Sequence, residues 1–305
     1  MDRLRAFEMF ATVVAKGGFT RAAEAMGTSP ANVTRYVNEL EAHLGTRLLN
    51  RTSRKLSLTQ SGEALYERCR SILEEVAEAE AIASSSAVAP RGRLRINAPL
   101  SFGVRHLAPL WPTFLARHPE VELDIALIDR VVDIVEEGYD LAIRISRAGS
   151  ASHVGRKLAT SRNIVCASPA YVAAHGAPTM PSQLKDHACI GYAYAATADD
   201  WRFTDGEGKA HAVKVEPRVR SNNGDTAQAL ALGGQGITWQ PTFLVGEDLK
   251  AGRLVRLMPG YEMAPIDILA VYPSRRHVPA KVRAMIDFLA ETFRGEPVWD
   301  QGLEV

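Results

Sequence analysis

Cysteine is scarce in this chain: three residues in 305 (Cys69, Cys166, Cys189), an odd number at wide spacing. That excludes a disulfide framework and suits a reducing compartment. No apolar run approaches the roughly 18 residues needed to span a bilayer. The first fifteen residues are apolar only periodically, broken by Arg3, Arg5 and Glu8, so no secretory signal is read there. Net charge is nearly absent, 36 Lys and Arg against 35 Asp and Glu for +1, and the whole molecule is not a polycation. Eight histidines have no zinc-ligand spacing, and neither His-Glu-x-x-His nor Cys-x-x-Cys occurs. There is no phosphate loop and no nucleophile elbow, and the run Gly233–Gly236 is not a dinucleotide fingerprint. These absences call for no cofactor and no metal and argue against an enzyme; the alternative class is an enzyme carrying an appended binding head. With 46% hydrophobic and 23% charged residues, the chain reads as globular, cytoplasmic and long enough for two or three domains.

The charge that is present is unevenly placed. Residues 1–60 hold nine Lys and Arg against five acids, a net +4; residues 61–89 hold two against six, a net −4. A basic head, an acidic stretch and a neutral body suggest that only the head meets a polyanion. In the head, Leu4, Phe7, Phe10, Ala11 and Val14 recur at helical spacing up to Gly17-Gly18. Thr20 reads as the N-cap of a short helix stopped at Gly27, and Thr28-Ser29 cap a second with Pro30 in its first turn. Val33, Val37, Leu40 and Leu44 form that helix's core stripe, so the pair is a helix-turn-helix. The opposite face presents Ser29, Ala31, Asn32, Thr34, Arg35 and Asn38, side chains able to reach base edges in a major groove. Leu48-Leu49 and Leu56/Leu58 then read as two short strands around a turn carrying Arg51, Arg54 and Lys55, a wing whose cations meet phosphate.

Gly18-Phe19-Thr20-Arg21-Ala22-Ala23-Glu24, Ser29-Pro30, Leu40-Glu41, Leu44-Gly45 and Leu48-Leu49-Asn50-Arg51 through Leu58-Thr59-Gln60-Ser61-Gly62 resemble the N-terminal signature of LysR-type bacterial transcriptional regulators. The remainder of the chain is similar to that family's effector domain. The resemblance implies a sequence-specific DNA-binding regulator with a small-molecule effector, acting at a promoter, expected to be that of a neighbouring gene. Thr20, Arg21 and Pro30 join the DNA-binding candidates named above. Partners implied are double-stranded DNA, the effector, further copies of the chain as a dimer or tetramer, and RNA polymerase. A helix-turn-helix used only for protein contacts is the competing reading of the head.

From Thr59 to about Ser84, Leu65, Cys69, Ile72, Val76, Ala79 and Ala83 follow at alternating spacings of four and three, a coiled-coil seam. Periodicity alone also fits a helix packed on its own domain; the family resemblance implies a linker helix pairing two heads. Leu65, Cys69, Ile72 and Val76 are the dimer-interface candidates. The run Ser84–Pro90 reads as a flexible hinge.

Beyond Gly92, strands and helices alternate: Leu94–Asn97, a helix over Phe102–Leu115, Val121–Ile128, a helix over Val131–Glu136, Leu141–Ile145. The alternation restarts with Asn163–Ala167, the helix Pro169–His175, Ala188–Tyr192, Arg202–Val215, a helix after Gly224, Ile237–Trp239, Ile266–Val271 and the helix Pro279–Phe293. It implies an α/β body with largely parallel sheets. The domains expected are a winged helix-turn-helix over 1–59, a linker helix and hinge over 60–89, and a two-lobed body over 90–305. Its lobes span about 90–162 with 266–305, and 163–265, like a periplasmic binding protein. Ligands in such sheets sit beyond the carboxyl ends of strands. Leu100, Ser101, Phe102, Arg144, Ser146, Asn222, Asn223 and Gln240 are therefore the effector-binding candidates. The family resemblance implies Ser101 and Asn222 or Asn223 capping opposed helices that face the cleft, and Arg144 suits a carboxylate. Trp239 and Phe102 are candidates for the pocket wall or for core. Ordinary N-caps, or Arg144 paired with Asp129 or Asp140, are the structural alternatives. Cys166 and Cys189 are read either as buried thiols or as a redox pair.

Overall fold

The computed structural model describes residues 2–52, 55–83, 89–147, 155–194, 199–273 and 278–303, with backbone only at 51, 52, 55, 74, 78, 79 and 81–83. It divides into two compact units, Met1–Ala89 and Pro90–Val305.

In the first unit, α1 (Arg3–Lys16) is closed by Gly17, whose φ of 66° is the left-handed conformation glycine adopts freely. Its buried face is Ala6, Met9, Phe10, Ala11 and Val13, whereas Leu4 of the expected stripe is exposed. Helix α2 (Phe19–Ala25) starts earlier than a Thr20 cap predicts: Gly18 is the N-cap and no side chain caps it. Helix α3 (Pro30–Leu44) is capped by Ser29, whose hydroxyl accepts the Asn32 amide at 3.2 Å. Ala22 and Ala23 are fully buried where α2 meets α3, so small side chains bring the two helices close. The wing is an antiparallel pair, β1 (Leu49–Thr52) and β2 (Lys55–Leu58), with Leu49 opposite Leu58.

Helix α4 (Gln60–Ala83) follows, with Thr59 Oγ1 accepting the Gly62 amide at 3.0 Å. Its first half belongs to the head core: Cys69 is fully buried there, and Leu65, Tyr66 and Leu73 pack against Met9, Phe10 and their neighbours. Cys69 is therefore not a residue of an open seam, because the α4 face that carries it is already covered by the chain's own head. Ile72 is 38% exposed and outside that core. Ala79 and Ala83 of the seam, and most of the expected hinge, lie outside the residues whose side chains are described.

The second unit contains two five-stranded sheets. The first lobe is built from β3 (Gly92–Ala98), α5 (Leu100–Phe102), α6 (Trp111–Arg117), β4 (Val121–Leu127), β5 (Leu141–Arg147) and β6 (Gly155–Ser161). The second has β7 (Asn163–Ala167), α7 (Pro169–His175), β8 (Cys189–Tyr192), β9 (Asp200–Asp205), β10 (Ala210–Lys214) and β11 (Pro217–Ser221). It continues with α8 (Gly224–Leu232), β12 (Ile237–Pro241), α9 (Thr242–Lys250), β13 (Val255–Arg256) and β14 (Tyr261–Glu262). Strand β15 (Ile266–Val271) and α10 (Ala280–Thr292) return to the first lobe, which has strand order β4-β3-β5-β15-β6; the second has β11-β8-β12-β7-β13.

Both sheets are mixed rather than largely parallel. Strand β6 leaves the first lobe and β15 re-enters it beside β6, so the two run antiparallel; β15 is antiparallel to β5 as well. The two crossovers between the lobes, β6 to β7 and β14 to β15, are short, and Asn163 Nδ2 ties them by donating to the Ala264 carbonyl at 2.8 Å. Three further expectations are corrected. Residues 131–136 form turns, not a helix, because Asp133 Oδ1 takes the amides of Val135 and Glu136. The segment 100–117 is helical but irregular, passing through a π turn and a 3₁₀ turn before α6, with Pro109 and Pro112 removing two amide donors. The stretch 202–215 is a hairpin, turning where Asp205 Oδ1 accepts the amides of Glu207 and Lys209.

Candidate functional sites

On the head, the outward face of α3 carries Ala31, Arg35 and Asn38, all exposed and spaced by four and three residues on one side of the helix. Asn32 and Thr34 are half-buried and held locally. Asn32 Nδ2 donates to Thr28 Oγ1 at 2.9 Å, and the Thr34 hydroxyl donates back to the Pro30 carbonyl at 2.8 Å. Thr20, Arg21, Ser29 and Pro30 are exposed at the start of α2 and α3. Arg21 donates to the Gly17 carbonyl at 3.1 Å. Arg54 lies outside the described residues, as do the side chains of Arg51 and Lys55.

Arg35 is not a freely waving cation. It donates to Glu39 Oε1 at 2.8 Å and Asn32 Oδ1 at 2.9 Å, and its guanidinium lies 4.6 Å from the Tyr36 ring centroid. The hydrogen bond from Arg35 to Glu39 raises the arginine's pKa, so it is cationic at any working pH. Glu39 and Tyr36 hold the Arg35 guanidinium, contacts that the sequence pattern did not single out; the i, i+4 spacing from Arg35 to Glu39 was the available signal. Glu41 serves the scaffold instead. Its Oε1 accepts the amides of Leu48 at 2.8 Å and Leu49 at 3.1 Å, joining α3 to the base of the wing.

In the body, the effector candidates divide. Arg144 and Ser146 are two apart on β5 and share a face. Arg144 donates to Asn97 Oδ1 at 2.6 Å and to the Val132 carbonyl at 2.9 Å, not to Asp129 or Asp140 as the alternative reading had it. Burial lowers its pKa, partly offset by Glu137 and Tyr139. The Ser146 hydroxyl is buried without a hydrogen-bond partner. Asp129 accepts the Leu100 amide at 2.9 Å. Facing these from the second lobe is Tyr192, whose phenol is pushed up to about 12 by burial, with the Asp129 carboxylate adding to the shift. The Tyr194 hydroxyl accepts from the Asn222 side-chain amide at 3.3 Å, and its ring lies edge-on to Tyr192 at 6.1 Å.

Asn223 is the N-cap of α8, its Oδ1 accepting the Thr226 amide at 2.9 Å. Ser101 is no cap; Pro99 holds that position in α5. Instead the Ser101 hydroxyl, on a residue only 7% exposed, donates to Asp225 Oδ2 at 2.5 Å across the lobes. Phe102 lines no cleft. It is fully buried among Phe243, Phe293, Trp299 and His106, with ring centroids 5.2–5.9 Å away. Gln240 is buried beneath the start of α8, where a Cβ on Gly224 would meet its Oε1 at 3.3 Å and Leu244 at 2.5 Å. Trp239 is half-buried against the core of the second lobe. Arg105, Asp225 and Gln228 were not foreseen, although Arg105 stands four residues after Ser101 and so on its side of the helix.

Cys166 and Cys189 lie on strands separated by β12, in separate cores on the two faces of the sheet. Two strand spacings are about 9.5 Å, beyond the roughly 7 Å a disulfide tolerates. Burial pushes both thiols up to about 12. Among the described residues no group of three His, Cys, Asp or Glu is placed to hold a metal ion, and no helix is long and apolar enough to cross a membrane.

Residues 4–63 match the bacterial regulatory helix-turn-helix protein model of the lysR family, and residues 87–294 match the LysR substrate binding domain. This chain belongs to the LysR family of transcriptional regulators. The HTH-type transcriptional regulator DmlR of Escherichia coli is 36% identical over 295 residues, covering 95% of this chain and 94% of that one. CrgA of Neisseria meningitidis is 34% identical over 286 residues, with 93% and 94% covered. The solved structure of CrgA, titled a LysR-type transcriptional regulator, superposes with a TM-score of 0.61 at 32% identity, over 95% of this chain and 99% of that one. The full-length structure of the Vibrio cholerae virulence activator AphB gives 0.57 at 29% identity, over 94% and 98%. This LysR-type regulator is accordingly a DNA-binding transcriptional regulator with an effector-binding domain, and not an enzyme. Regulators of its kind bind DNA and small-molecule effectors and form oligomers.

Proposed function

We propose that residues 1–59 dock α3 in the major groove, with Ala31, Arg35 and Asn38 toward base edges and Thr20, Arg21, Ser29, Arg51, Arg54 and Lys55 toward phosphate. Residues 60–89 join two such heads, and residues 90–305 receive the effector. The head assignment rests on the exposed Ala31–Arg35–Asn38 face: arginine and asparagine are the side chains that read guanine and adenine bidentately. Duplexes selected from a random library by the full-length protein test it. Arg35→Ala should cost about 1–3 kcal/mol on the selected sequence and relax one base position. Equal losses on selected and random duplexes would reduce Arg35 to a phosphate contact.

For the body, the carrying observation is the Ser146 hydroxyl, buried and unpartnered beside the Arg144 guanidinium. A buried polar group without a partner costs about 1–3 kcal/mol, and a ligand oxygen at that point would remove the penalty. With Arg144 cationic and Asn222, Tyr192 and Tyr194 opposite, a small carboxylate suits the cleft. A thermal-shift panel of mono- and dicarboxylates on the full-length protein is the test, repeated on Arg144→Ala. A true ligand that stabilises the variant as much as the parent would sink the Arg144 role. On this reading the protein acts in the cytoplasm, as a dimer or a tetramer, at a promoter shared with RNA polymerase.

A further inference from the structure

We infer that Asp225 is a carboxylate of the chain itself seated in an anion receptor made by Ser101 and Arg105, so that an effector carboxylate entering there must displace Asp225 and release a latch between the lobes. This rests on the reading of the body as the effector domain, and it adds a carboxylate position apart from the one at Arg144 and Ser146, together with the regulation it would give.

Both Asp225 oxygens are engaged. Oδ2 takes the Ser101 hydroxyl at 2.5 Å, and Oδ1 takes Arg105 Nη2 at 2.6 Å and Nε at 3.1 Å. Ser101 and Arg105 belong to the first lobe; Asp225 stands in the first turn of α8 in the second. The donors close around one carboxyl group, which is the pattern of a monocarboxylate receptor. Burial by itself would raise the Asp225 pKa, but the hydrogen bonds from Ser101 and Arg105 outweigh it and hold the carboxyl below its ordinary value, so it is charged.

The receptor outlasts its occupant. Arg105 Nη2 also donates to Gln228 Oε1 at 2.8 Å, and Nη1 to the Leu244 carbonyl at 3.3 Å. Gln228 is buried, with its amide nitrogen donating to the Leu244 carbonyl at 3.0 Å and to Asp248. Moving Arg105 would strand the buried Gln228 oxygen for good, whereas moving Asp225, 40% exposed at its side chain, frees the Ser101 hydroxyl and the Arg105 donors, which the incoming carboxylate takes up in its place. The exchangeable member of the cluster is therefore the carboxylate. Elsewhere the lobes stay joined, since His106 Nε2 donates to the Phe243 carbonyl at 2.8 Å and Phe243 packs on Phe102 and Trp299. Loss of the latch frees the start of α8, not the whole lobe.

The test is hydrogen exchange by mass spectrometry on the full-length protein, with no effector present. Asp225→Ala should raise exchange of peptides covering 100–107 and 224–232 roughly tenfold, the scale of a charge-assisted cluster screened by partial exposure. Added acetate should restore protection to Asp225→Ala by filling the vacated receptor, at concentrations that leave the parent unchanged; acetamide should not. Arg105→Gln combined with Asp225→Ala should lose the rescue. Should Asp225→Ala fail to fold, Asp225→Asn carries the same exchange comparison. Unchanged exchange, rescue by acetamide as well as by acetate, or rescue that survives Arg105→Gln would each overturn the latch. A carboxylate that binds the parent while exchange is indifferent to Asp225 would leave the effector cleft standing and remove only the latch.

Discussion

Gly62 closes the family-like stretch Leu58–Gly62, and the structure supplies the reason a glycine is needed. A Cβ there would fall 2.0 Å from the Leu48 carbonyl oxygen and 2.9 Å from its carbon. That is about 1.5 Å short of ordinary van der Waals separation. The obstacle is backbone, and it is pinned: the same oxygen accepts the Thr59 amide at 3.0 Å, while Glu41 holds the Leu48 amide. Gly62→Ala must therefore push the first turn of α4 away from the wing, loosening Leu65, Tyr66 and the fully buried Cys69 against α1. Overpacking of this kind costs about 1–3 kcal/mol. In a unit of this size each kcal/mol moves the midpoint by about 4–8 °C, so the head should melt roughly 4–24 °C lower. All four tryptophans, at 111, 201, 239 and 299, lie in the second unit. Far-ultraviolet circular dichroism of the full chain should consequently show an early loss of helix while the tryptophan fluorescence transition stays put. A helical signal that melts as in the parent, or a fluorescence transition that falls with it, would refute the reasoning.

Three further outcomes are expected. Ile72→Asp should weaken self-association in sedimentation without unfolding the head, because Ile72 is outside its core; a variant as dimeric as the parent would take Ile72 out of the interface. Cys166 and Cys189 should resist alkylation in the native protein and form no mutual disulfide under diamide, since the thiolate is the reactive species and burial suppresses it; a mass shift for a 166–189 crosslink would contradict the sheet topology. His106 is held neutral, chiefly by burial, below the ordinary histidine range, so its contribution to stability is complete above about pH 6.5 and is lost as pH falls below that value. The fluorescence midpoint should accordingly drop between pH 7.5 and 5.5, and less so in His106→Gln; an equal drop in both would assign the dependence elsewhere.

The head was legible because its information is local. Ser29-Pro30 at a helix start, Gly17 and Gly45 at helix ends, and Val33, Val37 and Leu40 at a 3.6-residue period each specify their own few residues. Whole elements of the body were readable on the same basis, as runs of Leu94–Asn97 or Ile266–Val271 show. What a sequence determines in this way is most of the strands, most of the helices and their apolar faces. It fails at 131–136, where the Asp133 side chain takes the amides of Val135 and Glu136 and turns replace the expected helix. It could not say which side of α4 would be covered by its own head, because Leu65, Cys69, Ile72 and Val76 share one periodicity whether their partner is α1 or a second chain. Nor could it orient β15, whose antiparallel course follows from the chain crossing between lobes twice. The pairing of Ser101 and Arg105 with Asp225, some 120 residues away, is set by how two lobes meet. Hydrogen bonds at that separation leave no period or spacing in the chain, and only the packed tertiary structure decides them.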